Sequence, residues 1–222
     1  MNTSRLRGWL CALLLCCGGA MAATLQAERD FRLLTTPLAS VERQIEVTEF
    51  FWYGCSHCAD FEPLLAAWAK TLPADVRLRR VPVALRDAWL PGARLYYTLE
   101  ALGRLEALHG AVFAAIHKDR LRLNGESAMR EWAITQGIAG DAFSAAWHGF
   151  GTEAKVLEAQ RLARQAGIAG VPALVVDGRY LVLTGGTYGD LLHRAERLIA
   201  HAREERAVRP ALAPPVTQEL TQ

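Results

Sequence analysis

The spacing of hydrophobic and polar residues predicts two strands and a helix in the first half of the chain. Residues 45–51 alternate and then become apolar and aromatic, as a buried strand does. Residues 76–85 predict a second strand, and the short run at 31–34 predicts an edge strand. From Cys55 onward the pattern becomes helical, with a kink expected at Pro63. The apolar face of this predicted helix consists of Phe61, Leu64, Leu65 and Trp68.

The second half of the chain predicts a hairpin followed by a final helix. Apolar runs at 171–176 and 180–183 are separated by Asp177 and Gly178, and Asp-Gly between two such runs is a strong hairpin signal. Thr187 can then cap a helix whose apolar positions follow an i, i+3, i+4, i+7 pattern. These positions are Tyr188, Leu191, Leu192, Ala195, Leu198 and Ile199.

Between the two strand-bearing halves, residues from about 88 to 165 have helical spacing alone. Gly103 and Gly110 are expected to bend or divide the first part of this block, and Ser127 and Asp141 to cap two short helices. Its apolar stripes are interpreted as core. The block therefore predicts an all-helical insertion into a domain that otherwise mixes helices and strands.

The N-terminus predicts export. Arg5 and Arg7 precede a short apolar run at 9–17, and small residues that a signal peptidase reads follow. We therefore expect residues 1–23 to be a cleavable signal peptide. A retained anchor and a lipoprotein acylated at Cys16 are the alternatives. The apolar run is too short to span a bilayer, and the residue before Cys16 is a bulky leucine.

Composition narrows the function mainly through the cysteines. The formal net charge is +2, which gives no reason to expect nucleic acid or an anionic membrane as a partner. Of five cysteines, Cys11, Cys16 and Cys17 lie in the predicted signal. A mature chain in an oxidising compartment would then keep only Cys55 and Cys58. This indicates a pair with a chemical function rather than a set of structural disulfides.

The Cys55-Ser56-His57-Cys58 segment carries the predicted chemistry. Cys55 lies where a strand gives way to a helix, and the unpaired amides and dipole of a helix N-terminus favour its thiolate. The two-residue spacing puts Cys58 on the next turn, close enough to close a disulfide. Cys55 would exchange disulfides with a substrate and Cys58 would resolve the mixed disulfide. A protonated His57 would stabilise the thiolate further.

Three other interpretations of the pair are open. A structural bridge across so short a loop would constrain little of the unfolded chain. A zinc site needs further ligands, and the remaining histidines lack ligand spacing, so they are interpreted as surface or capping residues. These are His109, His117, His148, His193 and His201. The third interpretation is two inert thiols. We expect neither a metal nor a cofactor.

Residues 49–58, Glu-Phe-Phe-Trp-Tyr-Gly-Cys-Ser-His-Cys, resemble the active-site segment of the DsbA family of bacterial periplasmic disulfide oxidases. Val171-Pro172 is similar to the cis-proline loop of that family. The order of predicted elements matches as well. The resemblance implies an α/β fold: one thioredoxin-like domain at 24–206, with the helical insertion at about 88–165. Residues 207–222 are proline-bearing with little to bury, and are expected to be a disordered tail.

The resemblance also implies roles for residues outside the cysteine pair. Pro172 would be cis, and Val171 would offer backbone groups to the substrate chain. Glu49 matches a buried acidic residue that could relay protons, with Arg80 as its basic partner. Apart from the resemblance, Trp52, Tyr53 and Val171 would form an apolar patch that suits binding of unfolded clients. Ser56 and Glu49 would tune the redox potential.

The expected function is donation of the Cys55–Cys58 disulfide to newly exported, unfolded proteins in the periplasm. A quinone-linked membrane oxidase of the DsbB type would reoxidise the pair, as the resemblance implies. One alternative is a disulfide isomerase or reductase, although too few residues precede the first strong strand for an N-terminal dimerisation domain. Another is a non-enzymatic metal-delivery module, since soft thiolates suit Cu(I).

Ser56 is a departure from the Pro-His dipeptide best known in the family, and it yields a prediction. Serine leaves a donor N–H and a hydroxyl near Cys55 where proline would be rigid. Ser56→Pro should make the protein more oxidising. Because about 30 mV corresponds to about 1.4 kcal/mol, a modest local change moves the potential measurably. Equilibration with glutathione buffers gives the potential; an unchanged or more reducing value would reject the prediction.

Overall fold

A computed structural model describes residues 25–39 and 44–208. The predicted signal at 1–23, with its three cysteines, lies outside these residues, as does the tail beyond Val208. The five strands are β1 Phe31–Leu33, β2 Ile45–Phe51, β3 Val76–Pro82, β4 Ala173–Val176 and β5 Tyr180–Val182. The seven α-helices of the described part are α1 Ser56–Ala69, α2 Leu90–Ala101, α3 Leu105–His117, α4 Glu126–Thr135, α5 Gly140–Trp147, α6 Phe150–Gln165 and α7 Tyr188–Val208.

The five strands form one mixed sheet in the order β1-β5-β4-β2-β3. β2 pairs in parallel with β3 and antiparallel with β4, so it has a neighbour on each side. Every residue of β2 is buried, which explains its nearly continuous apolar sequence. β1 is an edge strand, as the sequence predicts, and it pairs antiparallel with β5.

Both faces of the sheet are covered. In β4, Leu174 and Val176 belong to a hydrophobic cluster with residues of α1 and α7. Ala173 and Val175 belong to a second cluster, with residues of the helices between β3 and β4. This is the two-residue period of a strand buried on both sides. The insertion therefore packs as a layer on one face of the sheet.

Helix α1 begins directly after Cys55 and continues through Pro63. Phe61, Leu65 and Trp68 are buried as predicted, but Leu64 is 48% exposed, so its assignment to the buried face is wrong. Glu62 is buried on that helix instead. The predicted kink at Pro63 stays a prediction.

Helix boundaries within the insertion differ from the expected caps. Gly103, at a φ of +65°, separates α2 from α3, whereas Gly110 lies inside α3. The caps predicted at Ser127 and Asp141 are wrong. The Ser127 hydroxyl donates to Glu131, and Asp141 lies inside α5, 3.7 Å from Arg130. Each of these side chains therefore interacts within a helix or across to a neighbour, and neither covers free amides.

The hairpin and the last helix form as the sequence predicts. Asp177 and Gly178 both have positive φ, at 55° and 64°, as a tight turn between twisted strands requires. Thr187 caps α7: its Oγ1 accepts from the Asp190 amide at 3.2 Å, while Asp190 accepts from the Thr187 amide at 2.7 Å. α7 extends to Val208, so its last two residues lie within the predicted tail. Within 25–39 and 44–208, no helix is long and apolar enough to cross a membrane.

Alanine substitutions at two glycines should change the stability in opposite directions. A Cβ on Gly178 would lie 2.6 Å from the Leu38 carbonyl oxygen, at a positive φ. Gly178→Ala should lower the free energy of unfolding by about 2 kcal/mol. A Cβ on Gly110, inside α3, would have no neighbour within 4 Å, so Gly110→Ala should raise stability by about 0.5–1 kcal/mol. Urea unfolding measures both; equal effects would contradict the assignment of strain to the turn.

Candidate active site

The end of β2 and the start of α1 place Cys55 at a helix N-terminus. Residues 52–54 turn the chain, and the Cys55 amide donates to the Trp52 carbonyl at 3.0 Å. Cys55 is the N-cap of α1, with φ −85° and ψ 118°. Its Sγ accepts from the Cys58 amide at 3.4 Å, which is the position a capping oxygen would take. Negative charge on this sulfur therefore faces the positive end of the helix.

The two cysteines have different surroundings. Cys58 is buried, whereas Cys55 is half-buried, and both are free thiols. Burial raises the pKa of the Cys58 thiol. The site thus pairs an accessible sulfur at a helix N-terminus with a shielded sulfur that favours its protonated form.

The loop before β4 lies against Cys55. The Val171–Pro172 peptide is cis, and the Cys55 thiol donates to the Val171 carbonyl at 3.5 Å. On the other side, the exposed His57 has its Nδ1 3.3 Å from the Tyr188 hydroxyl at the start of α7. Predicted site residues from two distant parts of the sequence are thus brought together, and Tyr188, which was predicted only as an apolar position of the last helix, joins them.

Trp52 lies beside this site but is engaged by the insertion. Its ring stacks on Trp89 with centroids 4.1 Å apart and an interplanar angle of 5°. A Cβ on Gly54 would lie 2.3 Å from the Trp52 ring, so glycine is required there. Trp52 is half-buried, and its contact with clients stays a prediction. Tyr53 is fully buried, so its place in the predicted client patch is wrong.

Beneath the cysteines, Glu49 is fully buried and faces Arg80. Arg80 Nε lies 3.4 Å from Glu49 Oε2, although the angle is not that of a hydrogen bond. Burial raises the pKa of Glu49 to about 8, against the opposing effect of Arg80. A carboxyl that keeps its proton near neutral pH can give that proton to a neighbouring base.

Two further buried groups complete a charged cluster that the sequence did not predict. Arg80 Nη2 donates to Glu62 Oε1 at 2.9 Å, and Glu62 Oε2 lies 3.3 Å from His109 Nε2. His109 Nδ1 lies 2.8 Å from the Tyr53 hydroxyl. The assignment of His109 to the surface is wrong: it is buried, and burial lowers its pKa.

The positions of Glu62 and His109 in the helical pattern indicate that both side chains could be buried. Glu62 is four residues after Cys58, on the same face of α1. His109 falls in the apolar stripe of α3, four residues from Leu105 and from Phe113. A polar residue at a buried helical position needs a partner, so each predicts the other only once the two helices are known to pack.

α3 also holds the turn before Cys55. His117 Nε2 lies 2.8 Å from the Tyr53 carbonyl oxygen, so two histidines of one helix contact Tyr53. A cavity of about 440 Å³ adjoins the cluster and is lined by Glu62, Arg80, Glu106 and His109 among others. The charged groups therefore lie between the cysteine pair and an opening between α1 and α3.

The class of protein follows from fold and site together: a thioredoxin-like thiol:disulfide oxidoreductase. A family model described as a DSBA-like thioredoxin domain matches residues 75–195. The chain belongs to the DsbA family. Thiol:disulfide interchange protein DsbA of Bordetella pertussis is 41% identical over 189 residues, covering 83% of this chain and 90% of that protein. The protein of the same name from Azotobacter vinelandii is 42% identical over 162 residues, covering 72% and 76%.

Solved structures agree. The crystal structure of Pseudomonas aeruginosa DsbA has a TM-score of 0.76 at 33% identity and covers 81% of this chain and 95% of that one. The oxidoreductase DsbA from Xylella fastidiosa gives a TM-score of 0.74 at 33% identity, covering 79% and 96%. The predicted fold class and enzyme class are confirmed. In the described residues, no three His, Cys, Asp or Glu side chains are grouped to hold a metal ion.

The buried Glu49 gives a prediction for the pH dependence of stability. Its pKa rises from 4.5 when unfolded to about 8 when folded, so the folded state holds the proton more tightly. The stabilising contribution is complete below pH 4.5 and is lost as pH rises towards 8. Between pH 5 and 8, the free energy of unfolding of the reduced wild type should fall by roughly a few kcal/mol relative to that of Glu49→Gln.

Urea unfolding of the reduced proteins across this pH range measures the difference. Glu204→Gln, which neutralises an exposed carboxylate on α7, is the control and should run parallel to wild type. Parallel curves for Glu49→Gln and wild type would show that Glu49 is already ionised in the folded protein.

Proposed function

We propose that Cys55 and Cys58 form the redox centre and that the protein donates their disulfide to newly exported, unfolded proteins. The observation that carries this proposal is the asymmetry of the pair. The accessible Cys55 sulfur lies at the α1 N-terminus and beside the Val171 carbonyl, while Cys58 is buried. A substrate thiolate can reach one sulfur and not the other.

The reaction would run in two exchanges. A client thiolate attacks Cys55 Sγ of the oxidised pair; the Cys55–Cys58 bond breaks, a client–Cys55 bond forms, and Cys58 leaves with the electron pair. A second client thiolate then attacks the client sulfur of this mixed disulfide. The client disulfide forms and Cys55 leaves as a thiolate. The client is oxidised by two electrons and the cysteine pair is reduced.

Cys58 needs a proton in the first exchange because burial disfavours its thiolate. Glu49 is the proposed donor, since it lies in the same buried region with a pKa of about 8. The cluster around Arg80 then sets how readily Glu49 gives up that proton. Reprotonation from the cavity between α1 and α3 would restore it.

The residues on the open side of Cys55 would stabilise the thiolate and hold the client. Ser56 begins the helix, and a protonated His57 would add positive charge near the sulfur. Val171 would pair its backbone with an extended client segment, beside Pro172. Trp52 would extend the apolar surface on the far side.

We also propose the substrates, the redox partner and the location of the protein. The relatives' name implies protein substrates in general, and we propose a quinone-linked membrane oxidase of the DsbB type as the partner that reoxidises the pair. We propose no role for nucleic acid, since the net charge of +2 gives no reason to expect one. We propose a periplasmic location reached through the signal peptide at residues 1–23. Residues 24–206 would be the thioredoxin-like domain with its insertion at about 88–165, and 207–222 a disordered tail.

Trapping tests the assigned roles of the cysteines. Cys58→Ser removes the resolving thiol, so Cys55 should accumulate as a mixed disulfide with a reduced client treated with a mild oxidant. In Cys55→Ser the remaining thiol is Cys58, which is buried, so this variant should form at least about tenfold less mixed disulfide. Non-reducing gels and mass spectrometry of the adduct measure both. Equal trapping by the two variants would overturn the division of labour.

The direction of the reaction is tested by the reduction potential of the wild-type pair in glutathione buffers. A disulfide donor should have a potential well above that of glutathione. A low potential like that of thioredoxin would mean that the same site works as a reductase, and the proposed donation would be wrong.

A further inference from the structure

A groove of about 400 Å³ opens beside Pro172 and continues away from the cysteines. One wall is the loop before β4, the other is the segment from β5 to the start of α7, and His57 lies at the end nearest the active site. Much of the lining is apolar, including Ile168, Leu181 and Leu191. An extended segment bound at Val171 would enter this groove.

Arg32 is the single permanently charged side chain among the groove-lining residues, all of which lie in the described part of the chain. It pairs with Leu181 in the β1–β5 register, and so lies on the same sheet face as that groove residue. Its Nη2 lies 4.0 Å from where a Cβ on Gly167 would be. The guanidinium therefore borders the groove at the edge of the sheet, next to the end of α6.

The charges of neighbouring acidic residues are already engaged. Asp30 accepts from Arg29 at 2.8 Å, and Arg194 Nε lies 3.8 Å from it. Asp190 accepts from the Thr187 amide and hydroxyl. The Arg32 guanidinium makes no hydrogen bond or ion pair with any residue in 25–39 or 44–208. The groove lining supplies no carboxylate, and the described part of the chain gives this positive charge no partner.

We propose that Arg32 selects client segments that carry an acidic side chain near the reacting cysteine, by pairing with that carboxylate in the groove. This inference rests on the proposed function. The occupant is an extended client segment whose backbone lies along Val171 and whose acidic residue reaches the edge strand. Arginine suits this role because its planar guanidinium can bind a carboxylate through two parallel hydrogen bonds.

A purely structural role for Arg32 would have a different measurable consequence. The C-terminus of α6 is close to the guanidinium, and a cation there would stabilise the helix. That contribution would appear in stability and would be the same for every client. Selection among clients by charge is the readout that a structural role would not move.

The test uses dithiol peptides that differ at one residue, which is Glu, Gln or Lys, placed in turn at each of five positions on either side of the first cysteine. The rate constant for peptide oxidation by the oxidised full-length protein is divided by that for oxidised glutathione, which removes intrinsic differences in thiol reactivity. At the best position, wild type should favour Glu over Lys by about threefold to tenfold at low salt. The ratio should shrink towards one in 1 M salt.

Arg32→Glu should invert this ratio, and Arg32→Gln should bring it near one. Lys70→Glu, an equal charge change at the far end of α1 from Cys55, is the control and should leave the ratio as in wild type. A Glu-to-Lys ratio that is the same in wild type and Arg32→Glu, or that never exceeds one in wild type, overturns the inference. If Arg32→Glu does not fold, Arg32→Gln decides in the same way.

The Gln peptide keeps the two proposals separate. Oxidation of this uncharged peptide by wild type depends on the cysteine pair and not on client charge. If wild type fails to oxidise it, the proposed function is wrong. If wild type oxidises it but shows no charge ratio, the selection by Arg32 alone is wrong.

Discussion

The interaction on which the rest of the site depends is the contact between the Cys55 sulfur and the free amides at the start of α1. It exists because β2 is fully buried between β4 and β3 and delivers the chain, after a three-residue turn, to one fixed point. β4, paired with the other edge of β2, carries the Val171–Pro172 loop to the same point. The sheet therefore fixes both the reactive sulfur and the backbone it faces, while side chains such as His57 adjust the surroundings.

Below that sulfur, the protein buries two glutamate carboxyl groups beside a half-buried guanidinium, which is costly unless the charges compensate one another. Glu49 and Glu62 share Arg80, and His109 approaches from the insertion. Four of their atoms lack hydrogen-bond partners in the described structure, so compensation is incomplete. Incomplete compensation is what holds a proton on Glu49 near neutral pH. The arrangement gives up stability in exchange for a group that can supply a proton to a buried thiol.

Local signals made much of the fold predictable. The buried β2 pattern, the Asp177-Gly178 turn and the Thr187 cap each depend on a few adjacent residues, and the structure confirms them. The placement of Pro172 beside Cys55 followed from resemblance, since nothing local brings residues so far apart together. His109 and Glu62 were missed because their burial depends on how α1 and α3 pack, which periodicity does not specify. Ser127 and Asp141 have good capping chemistry, but the helices begin elsewhere.

The contact of α3 with Tyr53 ties the helical insertion to the thioredoxin-like part of the molecule. His109 and His117 reach from the insertion to the hydroxyl and the carbonyl of one residue, two positions before Cys55. Excising the insertion would leave the turn unsupported and would open Arg80 and Glu62 to solvent. The helical layer is thus a component of the proposed reaction centre rather than an appended module. Transplanting the Cys55–Cys58 segment onto a minimal scaffold would carry over the sulfurs without the environment that governs their protonation.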